Sequence, residues 1–110
     1  MAELATIARP YAEAQFSAGK ADAAALKPQV EALAALAADA GLRQFADNPK
    51  VASVQVFDLV AGIALQKGLS LDPRVGNLLR TVIDNGRLAA LPEIAAMYAK
   101  LVKEIGYEPQ

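Results

Sequence analysis

The 110-residue chain contains no cysteine, no histidine and no tryptophan, and each absence removes a class of chemistry. Without cysteine, neither a disulfide framework nor a thiolate metal site can form. Without histidine, the usual general base and the commonest metal ligand are missing, so neither cofactor nor metal is expected. Aromatics are sparse, at three Tyr and three Phe, and much of the 55% hydrophobic fraction is alanine. There is no basic excess either, with 11 Lys and Arg against 12 Asp and Glu. A net charge of -1 provides no field for phosphates, which argues against nucleic acid and anionic membranes as partners. The longest apolar stretches, around Leu59 to Leu65 and Leu88 to Leu91, fall far short of the ~20 residues that span a bilayer. The N-terminus lacks the pattern of a signal peptide, because Glu3 and Arg9 interrupt its first apolar segment. The expectation is a soluble, intracellular chain, long enough to bury a core without cross-links.

Strand signals are also lacking, since apolar residues recur at three and four positions rather than alternating. The pattern predicts an all-α fold, a six-helix antiparallel bundle in a single domain, about 1–105, with a short tail at 106–110. The first helix stops near Gly19, read as a left-handed end, with Pro10 in its early turns. The second starts at Asp22 as N-cap or at Pro28 as first helical residue, and carries Val30, Leu33, Leu36 and Ala37 inward until Gly41. A short helical turn holds Leu42, Phe45 and Ala46 before Asn48-Pro49 ends it. Ser53 is the candidate N-cap of a fourth helix with Val56, Phe57, Val60, Ala61 and Ala64 inward before Gly68. Asp72-Pro73 is the clearest start signal, and Val75, Leu78, Leu79, Val82 and Ile83 then line one face until Asn85-Gly86. A sixth helix begins close to Leu88 and turns Ile94, Met97, Tyr98, Leu101, Val102 and Ile105 inward, with Gly106 ending it. Short connections predict that consecutive helices lie side by side.

The first helix has more apolar surface than one core can use. At ~100° per residue, Leu4, Ile7, Tyr11, Ala14 and Ala18 form one stripe, and Ala5, Ala8, Ala12 and Phe16 an adjacent one. Glu3, Thr6, Arg9, Glu13 and Ser17 make the polar back. The two stripes together span roughly 200°, about twice what an ordinary surface helix hides. One stripe can face the core while the other needs a second partner, either another helix of this fold or an amphipathic helix of another protein.

Catalytic constellations are absent from the pattern. Asp22, Asp39, Asp58, Asp72 and Asp84 fall mostly at helix ends or on exposed faces, where capping explains them. The glycines follow no strand and so form no phosphate-cradling loop. Arg74, Arg80 and Arg87, with Asn77 and Thr81, give the fifth helix a polar flank. That flank reads equally as a solvated face or as the polar rim of a helix-binding groove. Tyr11 likewise suits either a core or a contact position.

Ala8-Arg9-Pro10-Tyr11-Ala12 with Phe16, and Asn85-Gly86-Arg87-Leu88 followed by Leu91-Pro92-Glu93-Ile94, resemble the delta subunit of bacterial F-type ATP synthase and its relative, the oligomycin-sensitivity-conferring protein. The order and separation of these motifs, with Asn48-Pro49 and Asp72-Pro73 between them, agree from about Met1 to Leu101. The resemblance implies a six-helix N-terminal domain that is not an enzyme. It implies a stator role at the peripheral stalk, holding the catalytic head against rotation, peripheral on the inner, cytoplasmic face of the cell membrane and without direct insertion. In the family the amphipathic N-terminal helix of an alpha subunit lies between the first and fifth helices. By matching positions, the partner-binding residues would be Ile7, Tyr11 and Ala14 with Asn77, Leu78 and Thr81. Arg9 and Arg87 match the motifs, with a folding role as their other reading. Family chains continue into a smaller domain that engages the b subunits, whereas this sequence stops at Gln110, so b-subunit contacts are expected only through that further domain. Similar bundles serve as RNA-binding antitermination factors or as generic helix-binding adaptors, and the charge argues against the former.

Overall fold

The computed structural model describes residues 2–106. The tail from Tyr107 to Gln110 and the side chains of Leu4 and Ile105 lie outside the described residues. Six α-helices follow one another: α1 (Ala2–Ala18), α2 (Ala23–Ala37), α3 (Ala40–Asp47), α4 (Ser53–Gln66), α5 (Pro73–Asp84) and α6 (Leu91–Gly106). A 3₁₀ turn at Leu88–Ala90 leads into the last helix, and there is no strand among the described residues. The all-α bundle expected from periodicity is what forms.

Most helix ends follow local stereochemistry. Asp72 caps α5 by accepting from the Arg74 N–H at 2.8 Å, and Pro73 takes the first helical position. At the other end Gly86 adopts φ +68, and the Arg87 and Gly86 N–H groups close back on the Val82 and Ile83 carbonyls. That paired closure is the left-handed glycine termination, and Gly68 repeats it after α4 with φ +84. Asp39 caps α3 through the Leu42 N–H at 2.8 Å, so Gly41 lies inside α3 rather than ending α2. Asp22 occupies the position before α2, which leaves Pro28 inside that helix. Pro10 also lies mid-helix, beyond the first two turns of α1. Both prolines are exposed, and the packed faces opposite them carry the helices past the missing donor. Ser53 is the first helical residue of α4, not its cap; Ala52 holds the cap position, and its N–H donates to the Gln55 side chain at 2.8 Å.

The core is assembled around α6, which packs against both α1 and α2, while α1 and α2 meet each other little. Consecutive helices are therefore not always neighbours: the last helix inserts between the first two. Its fully buried Leu91, Ile94 and Tyr98 explain why, since only a residue set this apolar can be covered from two sides. Tyr98 meets Phe16 edge-on, centroids 6.3 Å apart, and its hydroxyl donates to the Ala23 carbonyl at 3.1 Å. Burial pushes the Tyr98 hydroxyl pKa up, keeping it a donor. Phe45 is exposed on α3, and Leu36, Phe57, Ala61, Met97 and Leu101, expected inward, are half-buried at the margin.

Candidate functional site

The wide apolar arc of α1 is divided between two neighbours. Ala8, Ala12 and Phe16 are buried in the core, while Ile7 and Tyr11 are half-buried against its edge and Ala14 and Ala18 are exposed. The stripe carrying Ile7, Tyr11 and Ala14 is thus the outer one. Alongside it, α5 presents Asn77 and Thr81 exposed and Leu78 buried, only 6% exposed. A cleft of about 220 Å³ separates the two helices, with Tyr11, Ala14, Gln15 and Ala18 on one wall and Arg74, Asn77, Leu78 and Thr81 on the other.

Two polar contacts hold the walls together at opposite ends. Arg74, in the first turn of α5, bridges Asp22 just beyond α1 at 3.2 Å, and Asn85, beyond the end of α5, donates to the Tyr11 hydroxyl at 2.9 Å. The start of α5 therefore lies by the end of α1, so this pair runs antiparallel. Between the pins the small side chains of Ala14 and Ala18 leave the space open. The Thr81 hydroxyl donates to the Asn77 carbonyl at 2.8 Å, which satisfies it within its own helix.

Arg74 is the electrostatic centre of the near end. Its Nε donates to Asp72 at 2.9 Å and its terminal amine to the other Asp72 oxygen at 3.0 Å, a two-point grip that adds to the bridge with Asp22. Those donated hydrogen bonds, followed by the Arg74 backbone N–H, lower the Asp72 pKa to about 2, and the two carboxylates hold Arg74 firmly protonated. Gly19 makes room for this arrangement: a Cβ there would come within 2.6 Å of the guanidinium and 3.2 Å of Leu26. Its φ is not positive, so the expected left-handed end is replaced by a demand for space.

Five of the six residues expected from the sequence, Tyr11, Ala14, Asn77, Leu78 and Thr81, meet at this cleft, whereas Ile7 is not part of its lining. Leu78 serves the core as well as the cleft and forms its floor. Arg80 belongs to another neighbourhood, its guanidinium lying 4.4 Å from the Phe57 ring centre on α4. Arg87 is exposed outside the cleft, and Arg9 lines a separate hollow with Glu13 and Lys100. Of the three arginines on the polar flank only Arg74 lines the cleft, and Gln15 is the lining residue that the periodicity argument missed. For Gln15 the signal was available: at ~100° per residue it falls between Tyr11 and Ala8, a polar side chain in the middle of the apolar arc. It is 4% exposed, and its Nε2 has no hydrogen-bond partner among the described residues. Leaving such a donor unpaired costs about 1–3 kcal/mol.

A larger hollow of about 420 Å³ lies between α4 and α5 around Phe57, Leu65 and Arg80, and α4 also exposes Val54 and Leu59. It has no buried unpaired polar group, and only Asn77 of the expected residues reaches it. The α1–α5 cleft is the smaller space but the one with organised chemistry. Small-molecule sites run to about 300–1,000 Å³, so at about 220 Å³ it suits side chains of a docked element better than a whole cofactor.

Comparison with known proteins points to the family that the motifs resemble. Residues 7–107 match the family described as ATP synthase delta (OSCP) subunit. The chain is 64% identical over 103 residues to ATP synthase subunit delta of Methylibium petroleiphilum, covering 93% of this chain and 56% of that protein. It is 53% identical over 106 residues to ATP synthase subunit delta of Polaromonas naphthalenivorans, covering 96% and 59%. With the same subunit of Leptothrix cholodnii it shares 56% identity over 103 residues, covering 93% and 56%. The chain thus spans a little over half the length of these curated relatives. On this agreement of motifs, helices and sequence, the chain belongs to the ATP synthase delta (OSCP) subunit family.

Proposed function

We propose that this domain is a docking module of the ATP synthase stator, without catalytic activity of its own. The α1–α5 cleft receives the amphipathic N-terminal helix of an alpha subunit and so ties the catalytic head to the peripheral stalk against rotation. The observation that carries this reading is the divided arc of α1, whose exposed half faces a cleft pinned open between Asp22–Arg74 and Tyr11–Asn85. An apolar strip with a polar rim is what an amphipathic helix needs for its own apolar face. Tyr11, Ala14, Asn77, Leu78 and Thr81 are the proposed contacts, with Ile7 extending the strip beyond the cleft. Among the described residues no helix is long and apolar enough to cross a membrane, which fits a peripheral place in the complex. Contacts with the b subunits would come through a further domain of the family.

Titration of the isotope-labelled chain with a synthetic peptide of the alpha-subunit N-terminus tests the proposal by nuclear magnetic resonance. Amide shifts should concentrate in α1 and α5, and Ala14→Asp should remove them. Shifts confined to α3 and α4, or none at peptide concentrations well above those in the cell, would overturn it.

A further inference from the structure

The fold by itself gives no reason for a glutamine at position 15. The side chain is 4% exposed and lines the cleft, its Nε2 lacks a partner among the described residues, and its neighbours on the arc are apolar. Leucine or methionine there would continue the pattern without burying an unpaired donor. Building on the reading of the cleft as a helix-docking site, we propose that Gln15 is a specificity-determining residue. Its amide donates a hydrogen bond to one neutral acceptor side chain, a Ser, Thr, Asn or Gln, on the apolar face of the docked helix.

The surroundings define that acceptor. It is a side chain because carbonyls inside a helix already accept from the N–H four residues on. It is neutral because Arg74, the one charged side chain lining the cleft, is already paired with Asp22 and Asp72, so an incoming carboxylate at that depth would be buried without a counter-charge. Gln15 can reach it because the last torsion of a glutamine is broad rather than sharply staggered, so the amide turns toward an arriving acceptor at little cost. Selection works by penalty as well as gain. A helix with only aliphatic residues at that depth seals the amide under a dry interface, whereas one with the acceptor satisfies it.

A double-mutant cycle on the full chain reads this directly, using the synthetic alpha-subunit N-terminal peptide, calorimetric titration and thermal melting. Neutral acceptors on the apolar face of the peptide are replaced by alanine one at a time, against wild type, Gln15→Leu and the nearly isosteric Gln15→Met. One replacement should weaken binding to wild type about three- to tenfold and leave binding to both variants unchanged. Both variants should melt at or above the wild-type temperature, so the loss of coupling cannot come from unfolding. Equal weakening of all three proteins at every position, or undiminished binding of a peptide with no neutral acceptor, overturns the role of Gln15. If Ala14→Asp still abolishes binding in that case, the cleft reading stands. Indifference of the peptide to Ala14→Asp instead overturns the cleft reading, and the role of Gln15 with it.

Discussion

The two sides of α1 are built from the same small residue and end differently. Toward α6, Ala8 and Ala12 are closed over completely and Phe16 sits against Tyr98; toward α5, Ala14 and Ala18 stay exposed along a cleft. Alanine permits close approach of two backbones but does not bring it about. On the α6 side a partner rich in large apolar residues, Leu91, Ile94 and Tyr98, supplies the driving force. On the α5 side the polar Arg74, Asn77 and Thr81 accompany Leu78, and two hydrogen-bonded pins fix the helices before the gap can close. The seam holds the domain together, and the cleft is what the domain has left to offer another molecule.

The sharpest way to break this contrast is to replace one residue on each side. Phe16→Ala removes a buried ring and its contact with Tyr98, and should cost about 3–5 kcal/mol, a loss of more than ten degrees in melting temperature for a domain of this size. Ala14→Asp, on the same helix but in the cleft, should change stability by no more than about 0.5 kcal/mol. Similar losses from the two in thermal denaturation would show that the cleft is a second core. Tyr11 lies on the border: half-buried and bonded to Asn85, it would lose stability as well as cleft surface on replacement by alanine, so Tyr11→Phe is the cleaner probe of its hydroxyl. A smaller effect is expected from Tyr98→Phe, which keeps the ring and deletes the hydrogen bond to Ala23. It should cost about 0.5–1.5 kcal/mol in chemical denaturation, and no measurable cost would mean that this bond adds nothing to the seam.

The parts of this contrast legible in the sequence were those set by local chemistry. Asp72-Pro73 and Asn85-Gly86 bound α5 as expected, because a cap, a fixed φ and a left-handed glycine act within one turn. The double stripe was visible, and Tyr11, Ala14 and Ala18 of its outer half line the cleft, while Ile7 lies outside that lining. What was illegible depended on residues distant in the chain. Gly19 looks like a helix terminator, yet its role is set by Arg74, 55 positions away. The insertion of α6 between α1 and α2 cannot be read from loop lengths, since short connections constrain only consecutive elements. Gln15 was passed over because a single polar residue on an apolar arc acquires meaning only once its surroundings are known to offer it no partner.

The smallest effect separates seam from cleft by pH. With no histidine or cysteine in the chain, few side chains titrate between pH 5 and 8, and stability there should be nearly flat. Asp72 differs, because Arg74 holds its folded pKa at about 2 against an ordinary value of 3.8. A carboxylate with a depressed folded pKa stabilises fully above its unfolded value and loses that contribution as pH falls through its folded one. The wild-type domain should therefore weaken between about pH 4 and pH 2. Asp72→Asn retains an N-cap acceptor but cannot titrate, so its stability should decline less across the same interval. Because Asp72 and Asp22 grip the α5 end of the cleft while the α6 seam contains Phe16, Leu91, Ile94 and Tyr98, acid should loosen the first turn of α5 before it disturbs α6. Amide exchange along an acid titration resolves the order, and simultaneous loss of protection in α5 and α6 would mean that cleft and seam are one cooperative unit.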